Sequence, residues 1–222
     1  VTFVFFAVIS ELILGYMLAQ AFMKEFPGKA IFRTIHTLPL IMAPIIVGSV
    51  WKLMTTPSIG IIPHYLDEWF GITMNIATSV PVAFMTIIIM DIWHWTPLVT
   101  LTLIAALVSL PRDPFEQAQI DGAGKRQIFW HITLPMIAPA IVATVFIRLM
   151  DALRTVDEVW MLTGGGPGSA TRILGVHIFK EVFPKTNYGY GSTISVVVLY
   201  LTIVSCWLLY VTMLAPRNKN RG

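Results

Sequence analysis

Long apolar runs alternate with short polar segments along the whole chain. Five of them, 1–22, 33–54, 80–110, 136–162 and 191–214, reach the roughly 20 residues that a helix needs to cross a bilayer. Their apolar character is continuous, not alternating. That predicts helices, which satisfy their own backbone groups in lipid, and it excludes a barrel of short strands. In segment 55–79, Ile61, Ile62, Tyr65, Leu66, Trp69 and Phe70 recur at helical spacing and predict a short surface helix anchored by its aromatic rings. Pro39 and Pro44 interrupt the second run and Pro97 the third. Each removes a backbone donor and bends its helix, either as a simple kink or to shape a pathway.

Composition agrees with the pattern. Hydrophobic residues make up 56% of the chain and charged residues 12%, with a mean hydropathy of +0.75; a soluble domain carries about twice that charge. Loop charge sets the orientation. Lys24, Lys29 and Arg33, then Arg112, Lys125 and Arg126, then Arg217, Lys219 and Arg221 all fall on one side, the cytoplasmic one. Segment 55–79 has Asp67 and Glu68 but neither Lys nor Arg. Segment 163–190, external by alternation, dissents with Arg172, Lys180 and Lys185. The net charge of +3 thus reflects topology and not nucleic-acid binding. Residue 1 lies inside an apolar run without the features of a signal peptide, so a preceding segment with at least one more span is expected. The single Cys206 offers neither an internal disulfide nor a metal cluster.

Segment 111–135 is the longest polar insert on the cytoplasmic side. Asp113 can cap a helix with Pro114 in its first turn and Glu116 near its positive end. That helix runs to about Asp121, Gly122 permits a sharp turn, and a second helix over 125–133 leads to Pro135 and the fourth run. Phe115, Ala118, Ile128, Phe129 and Ile132 supply an apolar face, ringed by Arg112, Glu116, Lys125 and Arg126. Such a hairpin either holds a soluble partner or lies alone at the interface. The glycines of Thr163-Gly-Gly-Gly-Pro167-Gly168 lack the phosphate-loop pattern and predict a tight positive-φ turn; Gly122-Ala-Gly-Lys125 fails as well, since Arg126 replaces the needed hydroxyl. No metalloprotease, redox or nucleophile-elbow motif is present.

Glu116, Ala118, Asp121, Gly122, Ala123, Ile132, Leu134 and Pro135 resemble the "EAA" loop by which ABC-importer permeases dock on their ATPase, with Gln117 departing where the family usually has alanine. Arg33-Thr34 through Leu38-Pro39, Gly48-x-x-Trp51, Trp93 with Pro97, Leu162 through Pro167 with Thr171, and Tyr188–Gly191 are similar to the carbohydrate-uptake branch, which includes maltose-, trehalose- and glycerol-phosphate-type importers. The resemblance covers nearly the whole chain. It implies an all-α polytopic membrane protein with the type I permease fold, one transmembrane domain over 1–222, and segment 111–135 as the coupling loop. It further implies a transport subunit and not an enzyme, in a bacterial inner membrane. Its partners would be a second, different permease, two ATPase subunits that carry the ATP and magnesium, and an extracytoplasmic solute-binding protein. No cofactor or metal is expected on this chain.

Ionisable residues inside a span are expensive and usually functional. Asp91, His94 and Trp95 share a helix face by i+3 and i+4 spacing. Carboxylate, imidazole and indole suit a sugar or polyol, which presents hydroxyl edges and C–H faces. The resemblance to the maltose-type permease nominates Asp91, Trp93, His94, Trp95, Asp151 and Thr155. On the fourth run Arg148, Asp151 and Arg154 recur at i+3, with Asp157 and Glu158 toward its outer end. These charges either neutralise one another or leave Arg148 or Arg154 for an anionic sugar derivative. Glu11 in the first run has no assigned face. The competing function is a secondary transporter or channel with Asp91, His94 and Asp151 as an ion relay; segment 116–135 and the lack of paired half-repeats argue against it.

Overall fold

The computed structural model describes residues 2–213, and every regular element among them is a helix. Arg217, Lys219 and Arg221 lie outside the described residues. The first run is α1 (Thr2–Met23). Its buried residues Phe3, Ala7, Glu11, Gly15 and Ala19 recur every fourth position, so they form one stripe. Most are small, which lets the backbone approach α5 (Val80–Val108), the most buried of the spans. A Cβ on Gly15 would meet Val99 Cγ1 at 2.7 Å. The opposite face of α1, with Phe5, Phe6, Ile9, Ile13 and Met17, is exposed, as a lipid-facing surface would be. The helix α8 (Leu134–Arg154) packs against both α1 and α5, and α11 (Tyr188–Met213), the least buried span, lies on α8. The predicted surface helix is α4 (Ile61–Phe70).

The second run differs from expectation. It is not one continuous helix but two, α2 (Lys29–Ile41) and α3 (Pro44–Thr55), bent by 103° at a short break. Proline holds the residue before it in the extended region; Ala43 has φ −64° and ψ 136°, and Met42 is extended too. Pro39 stays inside α2 and Pro97 inside α5.

The fourth run is also redrawn. Its helix starts in the polar loop as α7 (Lys125–Ile128), passes through a π-helical turn (Phe129–Thr133) and continues as α8 to Arg154. The second loop helix is therefore the beginning of the span. Pro135 has no N–H for the carbonyl four residues back, and the turn ahead of it widens, with the Leu134 amide bonded to Phe129 O. The span ends at Thr155, whose hydroxyl bonds back to Asp151 O at 3.2 Å while its own backbone turns extended. Asp157 and Glu158 consequently stand on a separate helix, α9 (Asp157–Thr163). The glycine turn ends α9 and not the span, with Gly164, Gly165 and Gly168 at φ 60°, 84° and 59°.

Helix α9 packs on α3 through Gly48, where a Cβ would lie 2.5 Å from Glu158 O and 2.8 Å from Glu158 Cα. Both are backbone atoms and cannot rotate away. Gly48→Ala should cost about 1–3 kcal/mol, the usual penalty of overpacking, read as a lower melting temperature of the purified protein. Gly189→Ala, with nothing within 4 Å of the added atom, should melt like the parent.

The helix α10 (Leu174–Val182) explains why segment 163–190 dissents from the charge rule. Glu181 pairs with Lys185 at 2.8 Å and with Arg172, so one carboxylate engages two of the three basic residues there and offsets one of their charges. Lys185, and then Arg172, hold the Glu181 carboxyl below the usual carboxylate range, so the pairing persists well into mild acid.

Candidate functional site

Arg148 is the hub of the transmembrane core. Its side chain is 1% exposed, and it joins three helices. Nε donates to Glu11 Oε2 at 2.6 Å and Nη2 to Glu11 Oε1 at 2.8 Å, a bidentate fork onto α1. Nη2 also reaches Asp91 Oδ2 on α5 at 2.9 Å, and Nη1 reaches Asp151 Oδ2 one turn along α8 at 2.8 Å. The guanidinium carbon lies 4.7 Å from the centre of the Trp95 ring, within the range of cation–π attraction. Asp91 Oδ1 is buried and meets no hydrogen-bond partner among the described residues.

A second network adjoins the first. Glu158 Oε1 accepts the Trp95 indole N–H at 3.2 Å, and Glu158 Oε2 faces His94 Nδ1 at 3.2 Å. His94 Nε2 lies 3.3 Å from the carbonyl of Met42, at the break between α2 and α3. Both ring nitrogens face oxygen atoms, so the ring ties α5 to α9 and to the break. Irregular backbone at membrane depth needs such a partner.

In front of these networks lies a cavity of about 320 Å³. Pro44, Trp95, Asp151, Arg154, Thr155, Val156, Asp157 and Glu158 line it. It offers an indole, three carboxyl groups and one guanidinium. Among the described residues Arg154 bonds through Nε to Met150 O, at 3.2 Å, and its terminal nitrogens meet no acceptor there. A larger groove of about 510 Å³ between α8, α10 and α11 is almost wholly apolar and suits a hydroxylated solute poorly.

Of the nominated residues, Trp95, Asp151, Arg154 and Thr155 line this cavity; His94 and Asp91 do not, His94 meeting Glu158 of the lining and Asp91 the buried Arg148. Trp93 does not join them. It lies on another face of α5, 41% exposed and edge-on to Trp51 at 6.0 Å. Arg148 is likewise not left over for an anion, because three carboxyl groups already engage it. Sequence reasoning left Glu11 without a face and put Glu158 on the wrong helix. The signal for Glu11 was its position, a carboxylate in the middle of an apolar run.

On the polar loop, α6 (Asp113–Ile120) begins at Asp113 itself, with Arg112 O accepting from the Phe115 and Glu116 amides at 3.0 and 3.1 Å. Its end explains the motif spacing. The Ala123 amide bonds to Ala118 O at 2.9 Å and the Gly122 amide to Gln119 O at 3.1 Å, with Gly122 at φ 78°. That is the two-bond Schellman stop, which needs a left-handed residue where Gly122 stands. Phe115, Ala118, Ile128, Phe129 and Ile132 are half-buried, and Phe129 packs on Tyr16 of α1 at 5.4 Å. Arg112, Glu116, Lys125 and Arg126 are exposed, together with Ile120 and Trp130, so the outward surface combines charge with apolar area.

A family model described as the binding-protein-dependent transport system inner membrane component matches residues 11–220. The trehalose/maltose transport system permease protein MalF of Thermococcus litoralis is 35% identical over 210 residues, which cover 91% of this chain and 68% of that protein. The sulfoquinovosyl glycerol transport system permease protein SmoG of Agrobacterium fabrum is 39% identical over 121 residues, 54% of this chain and 39% of that protein. Among solved structures, a chain of a bacterial alginate ABC transporter, in complex with an alginate pentasaccharide-bound periplasmic protein, matches the fold with a TM-score of 0.80. The match covers 94% of this chain and 73% of that chain at 21% identity.

Proposed function

The chain belongs to the family of binding-protein-dependent transport system inner membrane components, and from that premise we propose that it is the permease subunit of an ATP-driven importer that carries a neutral sugar or polyol inward by alternating access. The observation that carries the solute class is the cavity lining, with the carboxyl groups of Asp151 and Asp157 beside Trp95 and a single guanidinium, Arg154, while both oxygens of Glu158 are taken by Trp95 and His94. Carboxylates accept hydroxyl hydrogens and an indole packs on C–H faces, while an anionic solute would meet more like charge than opposite. The names of the relatives that transport trehalose, maltose and multiple sugars support the class. In this reading a second permease completes the pathway, two ATPase subunits supply ATP and magnesium, and a solute-binding protein delivers the sugar. The surface around Glu116, Ala118, Asp121, Gly122 and Ala123 docks on an ATPase subunit. ATPase closure moves that surface and reaches the cavity through the span that starts in the loop. An ion relay through Asp91 and His94 is disfavoured, since both are enclosed and bonded to Arg148 and Glu158.

An anionic sugar derivative is the second reading, and the incompletely bonded Arg154 fork is what favours it. Uptake into proteoliposomes holding the full complex, with a neutral sugar and its carboxylate or sulfonate analogue in parallel, separates the two. The expected result is a preference for the neutral form that Arg154→Gln leaves in place and Asp151→Asn weakens. A preference for the anion that Arg154→Gln abolishes would overturn the neutral assignment. A complex that purifies without stoichiometric ATPase would overturn the importer reading itself.

A further inference from the structure

Trp95 is held from several directions at once. Its indole N–H is bonded to Glu158 Oε1 at 3.2 Å, one ring face lies 4.7 Å from the Arg148 guanidinium carbon, and the His94 ring sits tilted at 4.8 Å. Each holding group is itself fixed. Arg148 is tied to Glu11, Asp91 and Asp151, and Glu158 to His94, which reaches the Met42 carbonyl at the helix break. Arg148, His94 and Glu158 are all 3% exposed or less. A rotamer gripped in this way does not turn, and the part of the ring that lines the cavity remains to pack on another molecule.

We propose that Glu158 and Arg148 are positioning residues for solute recognition, which orient the Trp95 ring as a fixed stacking platform for the C–H face of a sugar ring. The proposal rests on the reading of the adjacent cavity as the solute site. Neither residue needs to touch solute through its charge; Glu158 acts by aiming the indole, and Arg148 by backing it. Preorganisation of this kind strengthens binding because the ring loses no freedom when the sugar arrives. Gln at position 158 can do the same work, since its carbonyl accepts the indole N–H and its amide donates to His94 in the neutral tautomer.

The test is a double-mutant cycle on the full complex reconstituted with its binding protein. The readout is the sugar concentration for half-maximal ATPase stimulation, with maltose, trehalose and glucose as probes. Trp95→Leu checks the underlying reading: unchanged half-saturation and rate for every probe, or no stimulation of the parent complex, would overturn the cavity assignment and this proposal with it. If Trp95→Leu weakens the response, Glu158→Ala should raise half-saturation roughly tenfold, about the worth of one hydrogen bond in positioning. Glu158→Gln should stay near the parent. In a Trp95→Phe background, which has the ring but no N–H, Glu158→Ala should change half-saturation little further. An equal effect of Glu158→Ala in both backgrounds, an unchanged half-saturation, or a complex that fails to assemble with either Glu158 variant would mean that Glu158 is structural and would overturn the proposal.

Discussion

Replacing Arg148 with leucine should cost about 3–5 kcal/mol of folding free energy, the penalty for taking the cation out of a buried ion cluster. Glu11 and Asp91, both at most 1% exposed, would be left buried without the guanidinium that bonds them, and Asp151 would lose its only side-chain partner among the described residues. The loss falls where α1, α5 and α8 meet, so spans that insert separately would fail to pack. Thermal unfolding of the detergent-purified complex would measure it. Arg148→Lys should recover only part, because an ammonium cannot fork onto Glu11 or stack on Trp95. Removing Glu11, Asp91 and Arg148 together in favour of apolar residues should be milder than removing Arg148 alone, since no charge is then stranded in the interior. A leucine variant that melts like the parent would show that the cluster contributes nothing to assembly.

Gly122→Pro should abolish solute-stimulated ATP hydrolysis while leaving the transmembrane bundle folded. Proline fixes φ near −65°, and Gly122 sits at 78° and donates its amide to Gln119 O. The substitution thus removes both the left-handed turn and one of the two bonds that stop α6. A Cβ there would meet nothing within 4 Å, so sterics are not the cause. Gly122→Asn, which tolerates the left-handed region, should keep most of the stimulation. Stimulation would be measured in proteoliposomes, with a fall of at least roughly tenfold expected for proline, about 1.4 kcal/mol in the coupled step. Full stimulation by a proline variant would detach the loop from coupling.

Hydropathy located the spans because the requirement on them is local: each must be apolar over its own length. It did not distinguish Pro44 from Pro39. The two are five residues apart in one run, yet only Pro44 stands at a break. What satisfies that break is a contact with His94, 52 residues further on in the chain. The same limit produced the apparent surplus of arginine. Reading along α8 found Asp151 at i+3, but the bidentate partner of Arg148 is Glu11, 137 residues away on another helix. Trp93 is the opposite case. Two residues from both Asp91 and Trp95, it lies roughly 200° around the helix from each, so face geometry excluded it and the resemblance to a maltose-type permease admitted it. The loop motif was legible because a helix stop is written in consecutive residues, Ala118 through Ala123.

The continuity of Lys125–Arg154 has a mechanical consequence. Thirty residues of helix span about 45 Å, so one stiff rod carries the polar loop at one end and the cavity wall at the other. A tilt of only about 10° at the loop would swing the far end by roughly 8 Å, more than the width of a sugar ring. The π-helical turn at Phe129–Thr133, near the loop end, is a softer joint in that rod, and Pro139 inside α8 is another. In the proposed importer, stiffening the π-helical joint would alter how far a tilt of the loop carries the cavity lining, without touching either end of the rod.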